Sequence, residues 1–351
     1  MTPARFDAVT GRYADLRIVV PGDFCLDRYL DIDPARAETS IETGLPVHNV
    51  VKVRSQPGAA GTILNNLVAL GVGTVIPLGF CGEDGEGWEL LNALRHIPRV
   101  DTGSFLQTAT RRTFTYTKPL IHEPGQTPRE LSRLDLKNWS PTPREVEERL
   151  LTALAILANN ADAIIVMDQV DLAETGVVTT RVREALTAIA ADHPALPIVA
   201  DCRRGMSGWP PCIWKMNARE LSHLTGVPET DLPAMQTVAA RLATANQRPI
   251  FVTLADRGIL GSDASGRTVH VPSFAVRGAI DIVGAGDSVS ANLTTALAAG
   301  AGIAEAMELA MAAASIVIHK VGTTGTAAVD EMRGLLSGGH GEKWRDVKDS
   351  R

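Results

Sequence analysis

Asp281-Ile282-Val283-Gly284-Ala285-Gly286-Asp287, running straight into the small-residue stretch 288–299, is the most informative segment of the chain. Glycines at the start of a helix expose backbone N–H groups with no side chain in the way. That arrangement binds phosphate or stabilises developing negative charge. A carboxylate in the first helical turn, here Asp287, is placed to take a proton from a hydroxyl held beside such an anion site. Asp and Gly are also common at helix starts for capping alone, so the segment by itself leaves a purely structural role open.

Outward from this helix the chain alternates between two patterns. Residues 16–20, 74–78, 163–167, 198–200 and 250–254 are short apolar, β-branched runs that read as buried strands. Residues 60–70 (closed by Gly71), 86–94, 179–191, 286–300 and an Ala-rich stretch to about 320 read as helices. With Asp23, Asp168 and Asp201 at or just past strand ends, this rhythm predicts an α/β fold, a doubly wound and mostly parallel sheet flanked by helices. Residues 28–33, 46–54, 110–117 and 133–136 break the rhythm. They predict a small β layer built from discontinuous segments (about 28–54 and 109–136), of the kind that acts as a lid. One domain over 16–330 is expected, with residues 1–15 and 338–351 as polar tails.

Composition narrows the function. The chain has 351 residues, 45% of them hydrophobic and 21% charged, ample for a large core. The net charge is -6, aromatics are 4%, and Arg111-Arg112 and Arg203-Arg204 are isolated basic pairs, which argues against a nucleic-acid partner. Cys25, Cys81, Cys202 and Cys212 form no CxxC pair and read as reduced thiols of a cytoplasmic protein. Residues 1–15 lack the apolar core of a signal peptide, and Glu305 and Glu308 interrupt the apolar stretch 293–318, so no membrane association is expected. There is no Gly-Lys dipeptide for a Walker A loop, no GxSxG, and His122-Glu123 continues into Pro124-Gly125 rather than a zinc motif.

Three further groups carry possible chemistry. Pro57-Gly58-Ala59-Ala60-Gly61, followed by Asn65-Asn66, lets backbone approach a ligand closely or simply packs tightly. Gly22-Asp23, with Asp27 four residues on, puts carboxylates past a strand end, where they suit sugar hydroxyls or a solvated turn. Asn217 and Glu220 share one face of a helical turn, where they suit a hydrated Mg²⁺ or a capping box.

The order of these motifs resembles the ribokinase-like (PfkB) carbohydrate kinases over about residues 16–329. The matching residues are Gly22-Asp23-x-x-Leu26-Asp27, the segment at Gly58, Gly79-x-x-Gly82-x-Asp84-x-x-Gly87, Asn217-x-x-Glu220, Val252-Thr253-Leu254-x-x-x-Gly258 and Gly284-Ala285-Gly286-Asp287. Residues 22–29, Leu45-Pro46-Val47, Arg133-Leu134-Asp135 and 312–324 are most similar to the heptose 7-phosphate kinases, the kinase half of ADP-heptose synthases. The resemblance implies transfer of the γ-phosphoryl group of ATP to a sugar hydroxyl with Mg²⁺ and, in some members, a monovalent cation such as K⁺. It implies Asp287 as base and the Gly284, Ala285 and Gly286 amides as anion hole. Asn217 and Glu220 would hold Mg²⁺ and phosphates. Thr253, Leu254, Gly258, Lys320 and Gly322 would lie along the nucleotide. Asp23, Asp27, Gly58, Ala59, Thr62, Asn66, Arg133 and Asp168 would hold the acceptor. It also implies a homodimer through the lid.

The departures from the family pattern cluster at the acceptor end. Ala59 stands where a second glycine is usual and Thr62 where a sugar-binding Asn is. Asp171 stands where heptose kinases carry Lys, and Cys202-Arg203 where Pro-Lys is common. The expectation is therefore a sugar kinase whose acceptor differs from the heptose phosphate. A nucleoside kinase of the same fold and a non-catalytic binding relative are the alternatives. The chain stops about twenty residues past the kinase-like region, so a kinase without the nucleotidyltransferase is expected.

Overall fold

The computed structural model describes residues 1–322 and 324–337; the expected tail 338–351 lies outside the described residues. Eight strands form the main sheet, in the order Thr268–Val271, Ile259–Ser262, Ile250–Thr253, Ile213–Asn217, Ile198–Cys202, Ala163–Asp168, Arg17–Pro21, Thr74–Leu78. The last six of these run parallel, and the first two are added antiparallel at one edge. This is the doubly wound sheet that the alternating pattern predicts.

Successive side chains of a strand point to opposite faces, so a sheet covered by helices on both sides needs unbroken apolar strands. Ile18 and Val20 face one core with Ile165 and Phe251, against the helices Ala60–Ala69, Ala285–Ala298 and Ile303–Ile318. Val19 faces the other with Ile164 and Val166, against Arg144–Ala158, Thr180–Asp192 and Leu232–Asn246.

A second sheet grows out of the first. The chain leaves Arg17–Pro21 through Gly22-Asp23 directly into Phe24–Ile32, which pairs antiparallel with Val50–Ala59 and parallel with Phe114–Ile121. The short strands Arg129–Glu130 and Leu134–Leu136 pair with Phe114–Ile121. The first four residues of Phe24–Ile32 are all buried, which removes the two-residue alternation and explains why the pattern alone starts this strand late, at residue 28. Asp84 ties the layer down: it caps the helix Gly85–His96 through the Gly87 N–H (2.7 Å) and accepts from the Thr113 hydroxyl (2.6 Å).

The reading of residues 1–15 as a polar tail is corrected. Pro3–Thr10 is a helix capped by Thr2, and Phe6, Val9 and Tyr13 are buried in the core. Its charged residues hid a short apolar stripe. Arg5 donates to Glu305 (2.8 Å) and the Met1 amino group donates to Glu308 (2.6 Å), which fixes the helix to Ile303–Ile318.

Deleting the Phe6 ring leaves a core cavity, so Phe6→Ala is expected to cost about 3–5 kcal/mol in chemical denaturation. The Tyr13 hydroxyl is buried and finds no partner among the described residues. Tyr13→Phe is therefore expected to be neutral or stabilising by up to about 1–2 kcal/mol.

Candidate active site

Asp287 lies in the first turn of Ala285–Ala298, at the carboxyl ends of the parallel strands. Gly284 caps this helix at φ +81°, and a side chain there would press on Thr62 and Thr324. The Ala285 N–H is donated to the Ile282 carbonyl at 3.2 Å. Of the three amides expected to form the anion hole, Ala285 is thus turned inward. The amides without an intrahelical partner are those of the next residues, Gly286 and Asp287.

Beneath this turn lies a buried ion pair. Lys215, from Ile213–Asn217, donates to Asp201 at 2.6 Å, and Ser290, one turn after Asp287, donates to the same oxygen at 3.0 Å. The lysine amine is 3.2 Å from where a side chain on Gly286 would begin, a tight approach that glycine avoids. Burial opposes its charge, but Asp201, with Asp287 and Glu220 behind it, outweighs that and raises its pKa. Asp287 keeps part of its surface open to the cleft, yet the surrounding protein raises its carboxyl to about 7. Burial is the main cause; Asp201 and Asp27 add to it and Lys215 opposes it.

Asn217 and Glu220 form the capping box of Ala218–Thr225. The Asn217 side chain accepts from the Glu220 N–H (2.9 Å), and Glu220 accepts from the Asn217 N–H (2.7 Å). This engages one oxygen of Glu220 and leaves the other without a hydrogen bond among the described residues. Among the described residues no group of three or more His, Cys, Asp or Glu side chains converges on one point. A single carboxylate oxygen fits a hard cation that arrives largely hydrated and phosphate-bound, rather than one caged by protein. Thr253 and Leu254 end their strand next to this helix, and Gly258 (φ +93°) makes the turn back into Ile259–Ser262, where the Val271 carbonyl leaves no room for a side chain. Gly322, at φ +80°, donates its amide to Asp281 at 3.3 Å. Lys320 points its amine to the Thr326 carbonyl (2.6 Å) and Glu331 (2.7 Å), a bracing contact to the last helix rather than a free cation.

At the other end, Asp27 faces Gly58 across the paired strands, and a methyl group on Gly58 would overlap its carboxylate. Lys118 lies 3.4 Å from Asp27, and Arg133 stacks on Tyr116, the residue beside Asp27 in the sheet. Burial raises the Asp27 carboxyl against the pull of Lys118 and Arg133.

Three expected acceptor residues have other partners. Asp23 accepts from the amides of Gln169 (2.8 Å), Val170 (3.2 Å) and Val177 (2.7 Å), which pins the loop 169–177 and leaves it no free oxygen for a sugar. Asn66 is fully buried and bonded back to Thr62 of its own helix at 2.9 Å. Asp168, also fully buried, takes Arg204 (2.5 Å) and the Cys202 thiol (3.2 Å) on one oxygen. Burial raises both Asp23 and Asp168.

Residue order gave Lys118, Tyr116 and Lys215 no site role, and Asp201 only a place at a strand end. The two-residue strand period offered a signal: Lys215 shares a sheet face with Asn217, and Tyr116 with Lys118.

The fold is that of the ribokinase-like sugar kinases, a phosphotransferase class. The Arabidopsis thaliana ribokinase solved with ribose and ATP matches over 92% of this chain and 98% of its own, with TM-score 0.64 at 16% identity. Phosphofructokinase-2 from Escherichia coli matches over the same shares with TM-score 0.70, also at 16%. The chain belongs to the pfkB family of carbohydrate kinases, whose model matches residues 24–329. Among curated relatives, the bifunctional protein HldE of Hyphomonas neptunium is 32% identical over 339 residues, and that of Trichlorobacter lovleyi 30% over 321. These alignments take in 95% and 89% of this chain but 66% and 61% of those proteins. No helix among the described residues is long and apolar enough to cross a membrane.

Ala59 has φ +53° and ψ -115°, a conformation that glycine adopts freely and alanine only under strain of about 1–3 kcal/mol. Ala59→Gly is expected to raise stability by about 1 kcal/mol, after the entropy of the unfolded glycine is set against the relieved strain. Thermal denaturation of the two proteins decides it; a lower melting temperature for the glycine variant contradicts the strain.

Proposed function

We propose that this chain phosphorylates a carbohydrate hydroxyl with ATP, using Asp287 as general base. The observation that carries the reading is the placement of Asp287. It shares the first turn of Ala285–Ala298 with the unpartnered Gly286 and Asp287 amides, directly above Lys215. Phosphoryl transfer asks a protein mainly for positioning and for stabilisation of charge on the transferring group. The amides and the helix N-terminus meet that charge, and Lys215 adds a buried cation behind them. Asp287 accepts the proton of the attacking hydroxyl; a carboxyl raised to about 7 is strong enough as a base to do so near neutral pH. Asp27 and Gly58 orient the acceptor, and Thr253, Leu254 and Gly258 line the nucleotide side. Asn217 and Glu220 would hold Mg²⁺, which neutralises charge on the nucleotide phosphates when bound.

The acceptor is a sugar or sugar phosphate, and activity against a panel of sugars, sugar phosphates and nucleosides identifies it. ATP-dependent turnover of a nucleoside alone would move the reading to the nucleoside kinases. Tight binding without turnover of any acceptor would overturn the enzyme reading.

The outer strand Val50–Ala59 exposes Val51 and Val53 and, among the described residues, has no strand paired on its outer edge. Such a surface is commonly covered by another chain, and we assign it to a second copy of this one. Light scattering at micromolar concentration is expected to show a dimer, and Val53→Asp a monomer; a monomeric parent protein contradicts the assignment.

Asp287→Asn is expected to lower kcat by about 10²–10⁴-fold with nucleotide binding retained. The base works only when deprotonated, so kcat/KM is expected to fall as pH drops through about 7. A flat profile from pH 5 to 8 would remove Asp287 from that role.

A further inference from the structure

The rim of the acceptor cleft carries four cations from three segments, Lys118, the neighbouring Arg133 and Lys137, and Arg203, and each is already matched by a carboxylate. Lys118 faces Asp27 at 3.4 Å, and Arg133 grips both oxygens of Asp135 at 2.7 and 3.2 Å. Lys137 and Arg203 converge on one group. The Lys137 amine donates to one oxygen of Asp171 at 2.7 Å, and the Arg203 Nε lies 3.2 Å from the other.

We propose that Asp171 is a specificity-determining residue: its carboxylate occupies the cation pair that would otherwise grip an anionic substituent, so the site favours a neutral carbohydrate over a sugar phosphate. The proposal rests on the kinase reading above and names the acceptor class for the same site.

Position supports it. Asp171 lies three residues beyond Ala163–Asp168, on the loop whose amides hold Asp23. Asp27 is paired with Tyr116 in the sheet, and Lys137, which holds Asp171, lies over that ring, so the two carboxylates flank one aromatic side chain. Lys137 and Arg133 both lie against the Tyr116 ring, at 5.9 and 5.0 Å from its centre. The hydrogen bond from Lys137 and the charge of Arg203 hold the Asp171 carboxyl below its usual range, so it stays ionised at neutral pH. A phosphate monoester brings about two negative charges at pH 7 and would have to displace this carboxylate or sit beside it. Asp171 is half-exposed, and exposed pairs of this kind add little to stability, so its removal tests selection rather than folding.

The test has two arms. In the first, kcat/KM is measured for fructose and fructose 6-phosphate, or another matched pair that the protein accepts, with the parent protein and with Asp171→Asn. The parent is expected to prefer the neutral sugar, and the variant to shift the ratio toward the phosphate at least tenfold. A parent that prefers the phosphate, or a ratio unchanged in the variant, overturns the proposal. In the second, inorganic phosphate binding is measured by calorimetry without any turnover. Asp171→Asn is expected to bind phosphate at least tenfold more tightly than the parent, and the gain is expected to vanish when Arg203→Ala is added. Equal binding by parent and variant, or a gain that survives Arg203→Ala, overturns it. A protein that turns over no acceptor contradicts the kinase reading, and the phosphate arm then decides the proposal alone.

Discussion

The ion pair between Lys215 and Asp201 is the contact on which the candidate site depends. It joins two adjacent strands at their carboxyl ends, and Ser290 extends it into the helix that begins at Gly284. Burying two charges is costly unless each satisfies the other, so the pair is stable only in this arrangement. In that arrangement the lysine amine lies beside Gly286, where its charge acts on Asp287. The same contact therefore anchors the helix start, supplies positive charge behind the free amides, and limits how far burial raises the Asp287 carboxyl. Glycine at 286 spares the lysine amine a tight contact, since a side chain there would begin 3.2 Å from it.

The acceptor end is built differently. Its parts come from the second sheet, and that sheet is continuous with the first through Gly22 and Asp23. Asp23 looks like a ligand-binding carboxylate by its place after a strand, but three backbone amides have claimed it. Its work is to close the loop 169–177 over the strand ends, and that loop delivers Asp171 to the rim. Asp27, four residues further on, keeps its carboxylate in the cleft because Gly58 leaves room for it. Strain at Ala59 belongs to the same segment: the chain turns sharply there from the strand Val50–Ala59 into the helix Ala60–Ala69, and alanine holds a backbone shape suited to glycine.

Much of this was legible in residue order. The parallel strands are unbroken apolar runs because both sheet faces are covered, and the helix after Gly284 announces itself by glycine and small-residue periodicity. Asp287, Asp27, Gly58 and the pair Asn217 and Glu220 were all visible as motifs. What residue order leaves open has a common cause. Asp23 and Lys320 are polar residues in suggestive positions whose partners come from other segments, while Asn66 and Asp168 each keep one buried oxygen without a partner among the described residues, and a sequence shows neither. The first helix is hidden because its charged residues mask the buried Phe6 and Val9, and the lid strand reads as starting late, at residue 28, because its first four residues are all buried.

The sequence by itself determined the fold class, the alternation of elements and the glycine-rich helix start, because these follow from local backbone freedom and from the periodicity of apolar residues. Tertiary structure decided the electrical environment. Whether Lys215 supports Asp287, whether Asp171 neutralises Lys137 and Arg203, and whether Asp23 remains free are all questions of distance between segments far apart in the chain. Charge acts through space and burial, and neither is written in the spacing of residues along one strand.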